Sequence, residues 1–320
     1  MFMETIAANP CVRCHTGWSA CALENVVATA LLLATAAATA QEPPAELKHS
    51  VRLEYQFNQT GEIDTSIGDF DIGETTTHAL VLSVNYSLGE RWTIFGSIPY
   101  VKRRHKGEGV HDATVDFVNY TPPDLRVVDD GEYHGGFQDV SIGTRYLATD
   151  GPLKVSPFIA VGSPVSNYPI YGNAVIGKHL WEVPVGVSLE FAPYFSDWVF
   201  QADVSYVFSE EVLGVNLDYW LWHASASYYV TRRFAPRLFL TQRHAPDALQ
   251  WPDDYTDDLD NEAWFQHDRM ITHGYLNGGI GFDYIANDRY AVSATYYQTI
   301  EPDQVAKIED AFTFAVTHRF

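Results

Sequence analysis

Leu80–Tyr100 reads LVLSVNYSLGERWTIFGSIPY, and its alternation decides the fold. Leu80, Leu82, Val84, Tyr86 and Leu88 take every second place, with Val81, Ser83, Asn85 and Ser87 between them. After Gly89-Glu90-Arg91 the alternation resumes at Trp92, Ile94, Gly96, Ile98 and Tyr100. A period of two puts successive side chains on opposite faces of a strand, so the stretch predicts two strands joined by a tight turn. The unit recurs: Val183–Phe191 leads through Pro193–Asp197 into Trp198–Tyr206, and Ile280–Tyr284 leads through Ala286-Asn287-Asp288 into Tyr290–Tyr296.

Extended along the chain, this reading predicts twelve strands: 50–58, 78–88, 91–101, 137–148, 153–162, 181–192, 198–207, 218–230, 234–243, 275–285, 289–299 and 311–320. Each has about ten residues, enough to cross a bilayer when tilted. Short turns alternate with longer connections at 59–77, 102–136, 163–180, 208–217, 244–274 and 300–310. That alternation predicts an all-β, transmembrane, antiparallel up-and-down β-barrel with periplasmic turns and extracellular loops; ten or fourteen strands are alternative parsings around 147–153 and 207–218. Hydrocarbon offers backbone groups no hydrogen bonds, so a sheet survives there only by closing on itself. Tyr86, Trp92, Tyr100, Tyr146, Trp198, Tyr206, Tyr228, Phe234, Tyr284 and Tyr290 fall at strand ends, where amphipathic rings favour the two interfaces. A soluble β-sandwich also alternates, but it explains neither the loop asymmetry nor the aromatic ends.

Residues 1–40 read as a signal peptide. Val26–Ala40 is apolar and ends in Ala38-Thr39-Ala40, which predicts cleavage after Ala40 and a mature barrel of residues 41–320. Cys11, Cys14 and Cys21 all fall in the removed part, so Cys11-Val12-Arg13-Cys14-His15 reads as a coincidental match to a haem-attachment motif. Beyond Ala40 no run approaches the roughly 20 apolar residues of a membrane-crossing helix. The formal net charge of −21 excludes nucleic acid as a partner, because phosphates call for a basic face.

Leu88–Tyr100 (LGERWTIFGSIPY), Gly135–Leu147 (GGFQDVSIGTRYL) and Pro157–Pro164 (PFIAVGSP) together resemble the outer-membrane transporter family of the MetA-pathway phenol-degradation type. The likeness lies in strand-and-turn texture spread over most of the mature chain. Where such proteins often carry Pro-Thr-Gly after the central strand, this chain has Ser163-Pro164-Val165. The resemblance implies an outer-membrane barrel for small molecules, with hydrophobic or aromatic compounds among the candidates, and transfers no particular solute. Phe312, Phe314, Val316, His318 and Phe320 alternate to the last residue, like the terminal strand that the barrel-assembly machinery recognises by its final aromatic.

The positions opposite the apolar face are expected to line the lumen and set its selectivity. They include Arg52, Glu54, Asp139, Arg145, Glu190, Asp203, Arg237, Arg243, Asp283 and Arg319, alongside polar residues such as Gln56, Asn85, Gln201, Thr241 and Asn277. Arg or Lys at the lipid midplane costs about 2–4 kcal/mol, so this set must face water or pair internally. The charges are nearly balanced, which leaves two readings: a conducting pore, or a narrow barrel closed by cross-lumen pairs. Excess acid sits in loops, with Glu62, Asp64, Asp69, Asp71 and Glu74 in the first and Asp247, Asp253, Asp254, Asp257, Asp258, Asp260, Glu262 and Asp268 in the fifth. Such a mouth attracts cations, but Asp253–Glu262 lacks the glycine and ligand spacing of a calcium loop. Lys102, Arg103, Arg104 and Lys106 cluster at the outer end of the third strand and are expected to contact lipopolysaccharide phosphates.

His105, His111, His134, His179, His244, His267 and His273 gather on the outer side, yet no pair has a recognised metal-ligand spacing, so no metal or cofactor is expected. An enzymatic reading would use His267-Asp268 with an acid pair at the rim. No G-x-S-x-G occurs, and the expected strand pairing places no serine beside a histidine, so the chain reads as a non-enzyme. Two functions remain: an outer-membrane channel for small molecules, or a non-conducting surface barrel whose acidic loops serve adhesion, cation binding or envelope structure.

Overall fold

The computed structural model describes residues 49–112, 116–117, 120–123, 125–251, 253–254 and 262–320. The expected signal peptide with its three cysteines, and Asp257, Asp258 and Asp260, lie outside these.

The strands are β1 (His49–Ile63), β2 (Phe70–Leu88), β3 (Trp92–Lys106), β4 (His134–Phe137), β5 (Val140–Tyr146), β6 (Leu153–Ser163), β7 (Glu182–Phe191), β8 (Trp198–Ser209), β9 (Tyr219–Tyr228), β10 (Phe234–His244), β11 (Gly274–Ile285), β12 (Tyr290–Asp303) and β13 (Ala306–Arg319). One helix, α1 (Glu262–Met270), precedes β11 among the described residues. β4 and β5 both pair with β3 and are interrupted only at Gln138-Asp139. They are two pieces of one strand, so the closed antiparallel barrel has twelve strands, as the alternation predicts.

Each strand pairs with its sequence neighbours, and β1 closes the ring on β13 from Ser50↔Arg319 to Asn58↔Ala311. Reciprocal backbone bonds between His49 and Phe320, 3.1 and 3.0 Å long, continue that seam to the turn end of the barrel. No described helix is long and apolar enough to cross a membrane; the crossing is done by strands.

The outer surface is apolar and exposed. Leu53, Leu82, Ile94, Ile142, Ile159, Leu238, Ile280 and Phe314 stand on it in phase with the alternation. A soluble protein rarely leaves so much contiguous apolar area open, whereas lipid covers it without cost. Ring pairs mark both edges. Trp92–Tyr146 and Trp198–Tyr228, 4.9 and 5.0 Å between centroids, sit at the short turns. Tyr100–Phe137 and Tyr206–Trp220, 5.4 and 5.0 Å apart, sit at the loop end. The fold is that of a transmembrane outer-membrane barrel.

Two connections differ from the sequence reading. The stretch 59–77 is mostly strand: β1 runs to Ile63 and β2 starts at Phe70. Likewise β12 and β13 extend until only Gln304-Val305 separates them, with Gln304 at φ 56°. The apolar alternation fades there because strands that outrun the bilayer are wet on both faces, while the ladder hydrogen bonds continue. β1, β2 and β3 therefore reach 15, 19 and 15 residues, against 10 for β7 and β9.

Candidate functional site: the lumen and its loop-filled mouth

The side chains facing inward form a polar interior held by short-range pairs. Arg52 and Gln56 both donate to the Glu54 carboxylate. Lys154 lies 3.2 Å from Glu190, which also accepts from Gln201 at 3.1 Å. Arg237 lies 3.4 Å from Asp283, Ser188 donates to Asp203, and His223 meets Thr241 at 2.9 Å. These partners sit on adjacent strands or two residues apart on one strand, so they tile the wall. The described pairs place Arg52, Glu54, Lys154, Glu190, Asp203, Arg237 and Asp283 on that wall, and Arg319 shares the inward phase of Ala311 and Ala315 on β13. Arg145 carries no ion pair among the described residues; its guanidinium lies 5.3 Å from the centre of the Phe95 ring and 6.0 Å from that of Phe158.

Those rings belong to an apolar set that the polarity pattern did not flag. Phe95, Phe158 and Phe239 point inward, and each is the register partner of an inward glycine: Gly143, Gly186 and Gly279. The fit is close, because a Cβ on these glycines would lie 2.5, 2.7 and 2.8 Å from the respective ring edge. Each ring thus occupies the space that a neighbouring side chain would fill. Phe95 meets Phe158 edge-on at 6.2 Å, and Phe239 packs near His223 and Tyr297 at 5.8 and 6.0 Å. The two aromatic groups lie on different arcs of the wall, parted by β7 and β8 on one side and by β13, β1 and β2 on the other.

Above the wall, three loops fold into the mouth. The β6–β7 loop lays Tyr168 and Ile176 against inward-facing Ala79 and Val101 of β2 and β3. The β10–β11 loop sets Met270 of α1 among Leu180, Val207, Leu217 and Tyr219 at the top of β8 and β9. Phe117 of the β3–β4 loop joins Tyr171 and Phe265 where the loops meet. Arg269 fastens them further by donating to the Lys178 and His179 carbonyls at 2.7 and 2.9 Å. On the wall side, Arg243 stacks over Tyr219 at 4.0 Å and donates to the Thr272 and His273 carbonyls.

Between plug and wall lies a cavity of about 550 Å³, lined among others by Arg103, Asp139, Lys178, Glu182, Arg243 and Asp268. Burial, and then the nearby Arg243 charge, push the Lys178 amine well below its usual range. Its Nζ reaches the Ile271 carbonyl at 3.4 Å. Asp139 faces this space and accepts from Tyr168 at 2.5 Å.

The basic cluster on β3 divides by strand phase. Lys102 and Arg104 lie over the Tyr133 ring at 5.3 and 4.6 Å, and Lys106 shares their face. Arg103 points the other way, into the cavity, and donates to the Val175 carbonyl at 2.8 Å. It is therefore out of reach of lipid headgroups, because consecutive residues of a strand face opposite sides.

A second polar knot joins the loops. The Asp129 carboxylate accepts backbone N–H groups from Asn173 and Ala174 at 2.9 and 2.8 Å and meets His111 Nδ1 at 3.2 Å. Burial alone would raise Asp129, but the His111 and backbone bonds hold it down at about 2. His111 Nε2 faces His267 Nε2 at 3.4 Å. Asp268 stands beside both histidines and accepts the Gly172 N–H at 3.0 Å.

No family model and no curated protein matches the chain. Among solved structures, it is similar to an outer-membrane channel from Pseudomonas putida F1, with a TM-score of 0.62 and 10% identity over 88% of this chain and 100% of that one. The NanC porin aligns less well, with a TM-score of 0.46 and 10% identity over 85% of this chain and 100% of that one. At such identity the first likeness establishes the shared barrel fold.

Proposed function

We propose that the chain is an outer-membrane channel for the passive movement of small molecules. The observation that carries this reading is the composition of the inner wall, a ring of charged and polar residues with inward phenyl rings, together with a cavity of about 550 Å³ between the wall and the loops. Ionic pairs and half-buried inward rings suit solutes that combine an aromatic or apolar body with a polar handle. That suits the aromatic compounds implied by the resemblance to phenol-degradation transporters. In this reading Arg145 and Arg243 attract the polar handle, and Phe95, Phe158 and Phe239 offer ring faces.

At the outer rim, Lys102, Arg104 and Lys106 are the residues that would meet lipopolysaccharide phosphates, and Phe320 is the signal offered to the assembly machinery. No step of this role involves catalysis. The packed plug supports a second reading, a barrel closed at its mouth that displays acidic loops. Single-channel recording in planar bilayers decides between them. Discrete openings support the channel, and their absence from folded, inserted protein removes it. Liposome swelling with phenolic, sugar and charged solutes then ranks the cargo.

A further inference from the structure

His111 and His267 are separated by 156 residues and come from different loops, yet their Nε2 atoms face each other at 3.4 Å. The Asp268 carboxylate completes a triangle, with Oδ1 3.4 Å from His267 Nε2 and Oδ2 3.9 Å from His111 Nε2. A tetrahedral ion with bonds of about 2.0–2.1 Å sets its ligand atoms roughly 3.3 Å apart; the His111–His267 and His267–Asp268 contacts stand near that edge, and one ligand atom from each of the three residues lies within 4.8 Å of the others.

The outer atoms of both rings are also committed. His111 Nδ1 meets the Asp129 carboxylate at 3.2 Å, and His267 Nδ1 meets the Trp264 carbonyl at 2.6 Å. The Trp264 carbonyl sets Nδ1 of His267 as the protonated atom and turns its Nε2 lone pair inward, and the Asp129 carboxylate favours the same tautomer of His111, whose Nδ1 also lies 3.3 Å from the Asn173 amide nitrogen; a carboxylate or carbonyl behind a histidine is the usual support of a metal ligand. Packing holds the rings in place. Trp264 stacks on His267 at 4.1 Å, and Tyr171 presents its edge to His111 at 4.7 Å. A pairing of two imidazoles through one shared proton would account for the 3.4 Å contact without an ion, and the titration below separates the two.

We propose that His111, His267 and Asp268 bind one divalent ion of the zinc class, which pins the loops over the barrel mouth. Two nitrogens and one carboxylate oxygen suit zinc and disfavour calcium, which prefers an all-oxygen shell. The three ligands leave a further place in the tetrahedron. The ion ties the β3–β4 loop to the β10–β11 loop directly. It reaches the β6–β7 loop through Asp268, which holds Gly172, and Asp129, which holds Asn173 and Ala174. This site is independent of whether the lumen conducts.

The test is Zn²⁺ titration by calorimetry on untagged, detergent-solubilised barrel of the full chain, stripped of metal beforehand. His111→Ala and His267→Ala are compared with His134→Ala, which alters an exposed histidine paired with Asp130 at 2.8 Å. The expected result is one Zn²⁺ per chain, affinity reduced at least 100-fold by either site substitution, and no change in the control. Asp129→Asn leaves the ligands in place and is expected to weaken binding about 10- to 100-fold. Co²⁺ substitution reads the geometry through the intense visible absorption of a tetrahedral site. Heat-modifiable migration on gels verifies that each variant keeps its barrel. Absence of stoichiometric binding to folded protein overturns the proposal, as does binding that survives both site substitutions or is lost only in the His134 control.

Discussion

Phe158 on β6 lies over Gly186 on β7, its register partner, so closely that a Cβ at residue 186 would come within 2.7 Å of the ring. The same Cβ would lie 2.3 Å from the Val204 carbonyl on β8, so the position is closed by backbone as well as by a movable ring. Gly186→Ala should therefore destabilise the barrel by about 1–3 kcal/mol, as overpacking does. Phe158→Ala should instead enlarge the lumen and raise unit conductance. Urea unfolding in lipid vesicles measures the first, and single-channel recording the second.

Asp283 and Arg237 make a partly exposed pair across β10 and β11, so its contribution to stability should stay below about 1 kcal/mol. Its electrical contribution is separable. Asp283→Asn leaves the Arg237 charge on the wall and should move reversal potentials in a salt gradient toward anion preference; Arg237→Gln should move them the opposite way. Equal reversal potentials in both variants would show that the pair lies off the ion path.

Leu82 and Ser83 are consecutive residues with opposite surroundings. Leu82 is exposed on the lipid face between Leu53 and Ile98, whereas Ser83 faces inward between Arg52 and Ser97. Leu82→Arg should cost about 2–4 kcal/mol of folding free energy in bilayers. Ser83→Arg should fold nearly as well as the parent, because its charge meets water. Comparable losses for the two would contradict the assignment of faces.

Arg243 is the wall's grip on the plug through Tyr219 and the Thr272 and His273 carbonyls. Arg243→Met should loosen the β10–β11 loop by about 1.5–3 kcal/mol, the usual scale for hydrogen bonds to a charged donor. Faster external proteolysis within 245–273 and longer open times are the expected readouts. Arg243→Lys should restore only part of the hold, since an ammonium lacks the planar fork.

The barrel was legible in the chain because lipid imposes a strict rule on every second residue. Leu80–Leu88 and Trp92–Tyr100 obey it, and their observed pairing runs in register from Leu80↔Tyr100 to Leu88↔Trp92. Where lipid ends, the rule ends, and Ile63 and Phe70 prolong strands without an apolar signal. Arg103 could have been separated from Lys102 and Arg104 by phase alone; charge grouping hid it. The inward rings were masked differently, since Phe95 sits among apolar neighbours and only its phase, together with Gly143 across the ladder, marks it as a lumen residue. The plug had no local signal. Its contacts join Gly172 to Asp268 and His111 to His267, pairs that no short-range pattern could connect.

The seam between β1 and β13 makes two strands far apart in the sequence interdependent in time. Among the described strands β1 comes first in the sequence and its partner last, so this edge of β1 must wait unpaired, or be shielded by other proteins, until β13 has been delivered. Contacts of such long sequence separation form slowly. Loss of β13 would therefore remove more than one twelfth of the structure: it would leave two raw edges with nothing in the bilayer to receive them.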